Sequence, residues 1–482
     1  MTQNLLTTQY PRSVVELDGT TYFLMRAADG RKRLAILGDA RGFEGQEAAA
    51  DRGFPVLCPL TPSNAVALRE RLPWLRPQPL GLRRTAGCGD RLGLATPGHV
   101  RAVRHFDLVP VFAQQSVREN TRAGRTPQGV LDDAMWGVFQ EGWRDPWGAD
   151  ADHLKTTADI DSFVTLGYSF YTVDPGAYVD NEAHSAPPGV LERKWDALPW
   201  AGLADSPEAM RARYLGQHLN AEMVHLEFEP ISLMRAACKY GGAIHHVAYM
   251  YRHLDARMGS QPYEFEVSID ETETPTSPLE HWFLASELKR LGVRWVSLAP
   301  RYIGRFEKGT DYIGDLRTFE AEFAQHAAIA RALGPYKLSL HSGSDKFSIY
   351  PLAARQAGPL VHLKTAGTSY LEALRAIAAV DPAFFREILA FARPHYETDR
   401  ATYHVSAELA RVPGPEDLTD ANLATVLDQF DGREVLHVTF GSVLDRFGPR
   451  LKDVLARNEE AYYAALEAHF IKHLTPFAGN LR

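Results

Sequence analysis

Cysteine is scarce: Cys58, Cys88 and Cys238 are the three in 482 residues, and they share no short spacing. That excludes a zinc–thiolate centre and a disulfide framework and suits a reducing compartment. No stretch carries the roughly 18 uninterrupted apolar residues of a membrane span. The opening MTQNLLTTQYPRS lacks a basic region followed by an apolar run and a cleavage site. Positive charge is not in excess either: 52 Lys and Arg stand against 60 Asp and Glu, a formal charge of −8. This argues against nucleic acid as a partner, while an anionic small molecule stays compatible if Arg and Lys are concentrated locally. A GxGxxG turn opening a helix straight after a first strand, the mark of a dinucleotide fold, is also missing. GCGDRLG (87–93) has glycines at suggestive spacing, but no apolar strand is readable before it. The expectation is a cytoplasmic protein acting on a small molecule, with neither nucleic acid nor membrane as partner. Nothing in the sequence reports its oligomeric state.

What is present is an ordinary globular composition, 45% hydrophobic and 23% charged, in a chain too long for one simple core. RSVVEL, TTYFLMRA and RKRLAILGD read as strands joined by the hairpin dipeptides Asp18-Gly19 and Asp29-Gly30. Short helices and Pro- and Gly-rich turns follow, so residues 1–105 are taken as an N-terminal β-rich accessory or cap region. A different rhythm then begins, in which short apolar runs each lead into polar residues and then a helical stretch. The runs are LVPVFAQQS (108–116), ADADHLKT (149–156), SFYTVDPG (169–176), YEFEVSIDE (263–271), WVSLAPRY (295–302), KLSLHSGS (337–344), LVHLKTAG (360–367) and EVLHVTFGS (434–442). A helical insertion interrupts them at about 177–258. Eight alternating β and α units predict an α/β fold, a closed (β/α)₈ TIM-like barrel over residues 106–482, with catalytic residues at the C-terminal strand ends. An open doubly wound sheet is the rival architecture.

The strand ends are rich in polar residues. Asp152-His153 offers a carboxylate beside an imidazole, a pairing suited to metal-assisted proton transfer, or, more plainly, a capping Asp before a hydrogen-bonded His. His341 ends an apolar strand ahead of Ser342, Gly343 and Ser344, a turn through which backbone and hydroxyls can approach a ligand. Alternation sets Glu264, Glu266, Ser268 and Asp270 on one face of a strand, which suits metal ligation or acid–base work unless the strand is a solvated edge. After the next strand, Arg301, Arg305 and Lys308 offer cations for a carboxylate, and Glu307 and Asp311 offer hard oxygen ligands; a solvated charged loop would look the same. Gln114, Gln115, Lys155, Asp174, Lys346, Lys364 and Thr439 complete the strand-end set. Lys155 and Lys364, each in a His-Leu-Lys triplet, could form Schiff bases but suit carboxylate binding or pairing with acids better.

These residues lie in long, unusual segments: FAQQSVRENTRAGRTPQGVLDDAMWGVFQEGW, GADADHLKT, FYTVDPGAYVDN, FEVSIDET, RYIGRFEKGTDYIGDL, LSLHSGSDKFSIYP and HLKTAGTSYLEALR. Through them, over about residues 85–375, the chain resembles the bacterial tagaturonate epimerase family. The resemblance implies metal-dependent interconversion of D-tagaturonate and D-fructuronate, with related activity on tagatose and fructose at C4. It implies Asp152 as proton acceptor and Glu266 as proton donor, with His153, His341 and Glu307 holding a divalent cation (Zn, Mn, Ni or Co) and Asp270 competing for the third position. Arg301, Arg305 or Lys346 would hold the substrate carboxylate, with Gln114, Gln115, Lys155, Asp270, Ser342 and Lys364 also in the substrate site. The inverted carbon is β to the ketone, where simple enolisation cannot act, so retro-aldol cleavage and re-addition are implied. Class II metal-dependent aldolases supply an analogy of chemistry only. The alternatives are a class II-type aldolase or lyase that releases its fragments, an isomerase using transient nicotinamide oxidation, and a non-catalytic carbohydrate-binding protein.

Overall fold

The computed structural model describes residues 8–27, 29–45 and 55–478. Residues 1–7, read above for a leader, and 46–54, within the stretch read as short helices, lie outside the described residues.

A five-stranded antiparallel sheet comes first, and its central hairpins follow the turn chemistry. Val15–Leu17 pairs with Thr20–Arg26 across Asp18 (φ 50°) and Gly19 (φ 74°), and Thr20–Arg26 pairs with Lys32–Leu37. Both turn residues have positive φ, the conformation a tight two-residue hairpin requires. The sheet is fastened to the helix Glu459–Ala478 through the Glu459 carboxylate, which accepts from Tyr10 Oη at 2.7 Å and pairs with Arg26 at 2.8 Å and Lys32 at 3.0 Å.

Eight parallel strands then close a barrel: β1 (Thr85–Cys88), β2 (Val109–Ser116), β3 (Gly148–Leu154), β4 (Phe170–Val173), β5 (Glu264–Ser268), β6 (Ser297–Ala299), β7 (Lys337–Leu340) and β8 (Val361–Thr365). The seam is made by β8 against β1, His362 to Thr85 through Thr365 to Cys88. The barrel class is as expected, with two corrections to its strands. Residues 434–442 are helical, divided between Phe430–Val438 and Phe440–Arg457, so Thr439 is no strand end; its hydroxyl donates to Val435 O. A short apolar run buried on all sides reads the same as strand or helix. The eighth strand is instead TAGC, β1, inside the stretch assigned to the accessory region; four small residues give no periodicity to read.

β1 does run directly into the Gly-rich loop, yet that loop is no phosphate cradle. The Asp90 carboxylate already accepts the N–H groups of Leu92, Gly93 and Ala95 at 2.9, 2.8 and 2.7 Å. Between β4 and β5 the insertion consists of helices, a short hairpin (Leu219–Ala221 with Val224–Leu226) and the long helix Pro230–Met258. After β8, further helices pack outside the barrel, Glu459–Ala478 lying against Thr96–Val103 and Thr368–Val380. Among the described residues no helix is long and apolar enough to cross a membrane.

The seam depends on one glycine. A Cβ on Gly89 would sit 2.6 Å from Ala366 Cα and 2.7 Å from Thr365 O, backbone atoms of β8 and its following turn. Gly89→Ala should therefore lower the unfolding free energy by about 1–3 kcal/mol, the usual cost of overpacking, measured by urea denaturation. Gly189→Ala, at a helical position where nothing lies within 4 Å of the added carbon, should leave stability unchanged or raise it slightly.

Candidate active site

In β3 the sequence GADADHL puts Ala149 and Ala151 on the helix side and Asp150 and Asp152 toward the barrel axis. Strict alternation would then send His153 outward. The pairing of β3 with β4 shifts register between Ala151 and Leu154, and His153 takes φ 58°. This bulge turns the next side chain back into the mouth, so Asp152 and His153 both line one cavity.

Below them lies a buried ammonium. Lys364, 3% exposed on β8, puts Nζ 2.8 Å from each of Asp150 Oδ2, Asp152 Oδ1 and Glu266 Oε1, and donates to Thr172 Oγ1 at 2.7 Å. Burial would push Asp152 and Glu266 up, but Lys364 and the neighbouring imidazoles hold both carboxylates well below their usual range. Asp150 is the third acid around one cation: burial, with Asp152 and Glu266 repelling against the pull of Lys364, pushes it up to about 7. Lys364 itself would be lowered by burial, yet the three acids hold it well above its usual value. Gln114 donates to Asp152 Oδ2 at 2.9 Å and completes that carboxylate.

The face expected from alternation in β5 is the barrel interior, and its residues rise in order toward the mouth. Glu264 is lowest, accepting from Gly81 N; Glu266 Oε1 meets His341 Nε2 at 2.7 Å; Ser268 Oγ lies 3.2 Å from His341 Nδ1; Asp270 Oδ1 lies 3.1 Å from that nitrogen. His341, from the end of β7, and His153 have ring centroids 5.1 Å apart. His153, Asp270 and His341 can each offer a ligand atom within 4.8 Å of the other two. Each histidine also turns one nitrogen to a carboxylate, His153 Nδ1 to Asp152 Oδ1 at 2.7 Å and His341 Nε2 to Glu266. That outer carboxylate orients an imidazole and raises its basicity, the usual support of a metal-binding His, while the second nitrogen of His341, Nδ1, faces Ser268 and Asp270. Burial would lower His153, but Asp152, then Asp174 and Asp270, carry it up to about 10, and His341 is raised against burial chiefly by Asp270. A site that draws protons onto both imidazoles is one that attracts positive charge, and its N,N,O donor set fits a divalent first-row cation.

Glu307 does not join this group. Its Oε2 accepts from Ser406 N at 2.9 Å and Ser406 Oγ at 2.7 Å, and it lies against Glu434, whose carboxyl burial and the Glu307 contact push up to about 8. Asp270, the competitor, stands where a third ligand is needed. Lys346 is no carboxylate clamp either: its buried Nζ is spent on the backbone carbonyls of Glu307, Thr310 and Ser344. Arg301 donates to the carbonyls of Tyr302 and Gly304, and the exposed Arg305 pairs with Glu307; both line an adjoining cavity. Gln115 points away and donates to Glu119 at 2.8 Å. Lys155 is on the rim, 3.1 Å from Asp174. Ser342 (φ 46°) lines the cavity and accepts from Lys308 Nζ at 2.7 Å.

The cavity, about 340 Å³, also takes in Arg118, Glu271, Gly367 and His437, which the sequence reading did not single out. His437 was hidden by the misassigned strand at 434–442. A second buried group, Asp345, His469 and His473, also has ligand-like spacing. Its atoms are already engaged: Asp345 pairs with His469 at 2.8 Å and Arg433 at 2.9 Å, and its N–H donates to His473 at 2.9 Å. It braces the loop after β7 against the C-terminal helix.

Comparison with known proteins identifies the family. A sequence model described as tagaturonate epimerase (UxaE) matches residues 10–477. A tagaturonate/fructuronate epimerase of Thermotoga maritima is 43% identical over 477 residues, 98% of this chain and 97% of the relative. Two crystal structures of the fructuronate-tagaturonate epimerase UxaE of Cohnella laeviribosi, one native and one with a single glycerol, are each 39% identical. They superpose with TM-scores of 0.93 and 0.92 and cover 98% of this chain and 96% of theirs. The chain belongs to the tagaturonate epimerase family.

Proposed function

We propose that this protein is an isomerase that interconverts D-tagaturonate and D-fructuronate at the mouth of its barrel with a divalent cation held by His153, Asp270 and His341. The observation that carries the reading is the meeting of two imidazoles and a carboxylate from β3, β7 and the turn after β5 in one cavity with Asp152 and Lys364. When bound, the cation supplies positive charge to the ketone oxygen, and Zn, Mn, Ni or Co all suit the ligands.

The inverted C4 is β to that ketone, so the chemistry in this reading is bond cleavage. Asp152 takes the proton of the C4 hydroxyl; the O–H electrons form the C4 carbonyl, and the C3–C4 pair moves into the ketone half as an enediolate. The aldehyde half turns over, the C3–C4 bond reforms on its other face, and the C4 oxygen takes a proton. Glu266, a carboxylate behind Lys364 and His341, has no proton of its own to give. In this reading it supports the Lys364 ammonium, which hands a proton to the C4 oxygen and takes back the one held by Asp152. Gln114 keeps the Asp152 carboxylate oriented.

Three outcomes test this reading. His153→Ala, Asp270→Asn and His341→Ala should each lose bound metal, by elemental analysis, together with epimerisation followed by NMR on tagaturonate, whereas Glu307→Ala should retain its metal. Full metal content in any of the first three removes that ligand. Asp152→Asn should keep metal while turnover falls at least about 100-fold; a near-normal rate ends its role as base. Lys364→Met leaves three buried acids without their cation and should cost about 3–5 kcal/mol of stability at pH 8. Those acids then titrate above their unfolded range, so the folded state binds more protons and the loss should shrink as pH falls toward 5, read from urea midpoints.

A further inference from the structure

Four cations reach the main cavity, and three are already paired. Lys364 has its three acids, Lys155 lies 3.1 Å from Asp174, and Arg118 lies 3.1 Å from Glu271. Lys308 differs: among the described residues it forms no ion pair, and its Nζ donates to Ser342 Oγ at 2.7 Å. The loop carrying it is held from behind. Lys346 bonds the carbonyls of Glu307 and Thr310 on either side, Arg433 Nε donates to Gly309 O at 2.7 Å, and Ser406 holds the Glu307 carboxylate. A cation presented on a loop with its backbone pinned at Glu307, Gly309 and Thr310 has little freedom left to lose on binding.

His437 supplies an independent observation. It comes from the helix Phe430–Val438, is 1% exposed, and lines the same cavity with its Nδ1 unpartnered among the described residues. Two glycines make room for the ring: a Cβ on Gly309 would lie 3.1 Å from its Cδ2, and one on Gly367 1.9 Å from its Nε2. Burial, then Arg91 and Lys308, holds the imidazole well below its usual range, which favours a neutral hydrogen-bonding ring beside an ammonium that has no ion pair among the described residues. A buried ring nitrogen without a partner is expensive, and it makes His437 a polar wall beside Lys308 for an oxygen-rich ligand.

We propose that Lys308, seated on Ser342 and flanked by His437, receives the substrate carboxylate and so sets the preference for a ketohexuronate over the neutral ketohexose. The inference rests on the epimerase reading above and adds to it the residue that recognises the acid end. Ser342 directly follows His341, so the receptor and the ketone-binding end are joined through one turn. Arg301 and Arg305, which the sequence offers for a carboxylate beside Lys308, are engaged elsewhere.

The test compares tagaturonate with tagatose, which has CH₂OH in place of the carboxylate, on the metal-loaded protein. Lys308→Met should raise KM for tagaturonate about tenfold or more, the scale of a charge-assisted hydrogen bond. KM for tagatose should change less than about threefold, kcat should be largely kept, and Lys308→Arg should recover most of the loss. His437→Asn should weaken tagaturonate in the same direction. An unchanged tagaturonate KM in Lys308→Met, or equal losses on both sugars, overturns the proposal, the latter because Lys308 would then only be propping Ser342. Calorimetric binding of tagaturonate to unaltered and Lys308→Met protein separates the two readings. If the unaltered protein turns over neither sugar, the epimerase reading falls. The receptor then stands if binding weakens about tenfold in the variant and falls if binding is equal.

Discussion

An ammonium enclosed by three carboxylates is the interaction on which the barrel interior depends. Removing such charges from water costs several kcal/mol apiece, and the contacts made by Lys364 offset this because all three are at 2.8 Å and Thr172 fills a further position. The arrangement is unbalanced by design of the sequence: β3 contributes two acids, β5 one, β8 a single base. The surplus negative charge is felt upward, where it raises the pKa of both imidazoles against burial. Charge buried for one purpose is thus exploited for another one layer higher.

The second constraint is geometric. A strand alternates its side chains, so two consecutive residues cannot serve one cavity unless the strand is broken. The bulge at the end of β3 breaks it, with His153 in the left-handed region. A residue other than glycine in that conformation bears a steric cost, and here it is offset by the hydrogen bond from the ring to Asp152 and by the packing of the two imidazoles.

Much of this was legible beforehand because the signals are local. The alternation of Glu264, Glu266, Ser268 and Asp270 reports one face of a strand directly, and the structure makes that face the interior in the expected order. Asp152-His153 and His341 stand where apolar runs end, which is where a barrel keeps its functional groups. What escaped were contacts made by backbone or by distant chain. A lysine whose partners are carbonyls, as with Lys346, reads the same as one awaiting a ligand. Glu307 reads as a hard ligand until Ser406, 99 positions away, is seen to hold it. TAGC is too small to announce a strand, and the apolar EVLHVTF fits helix and strand alike, which concealed His437.

The helix Phe430–Val438 has a temporal consequence. During synthesis the last barrel strand ends at residue 365, yet the imidazole that walls the cavity follows some seventy residues later. A nascent chain can therefore close its sheet and bury Lys364 well before its pocket is complete. The pocket is complete only once the helix Phe430–Val438 has been added, and a product terminated before it would carry the charged core without the wall that shapes it.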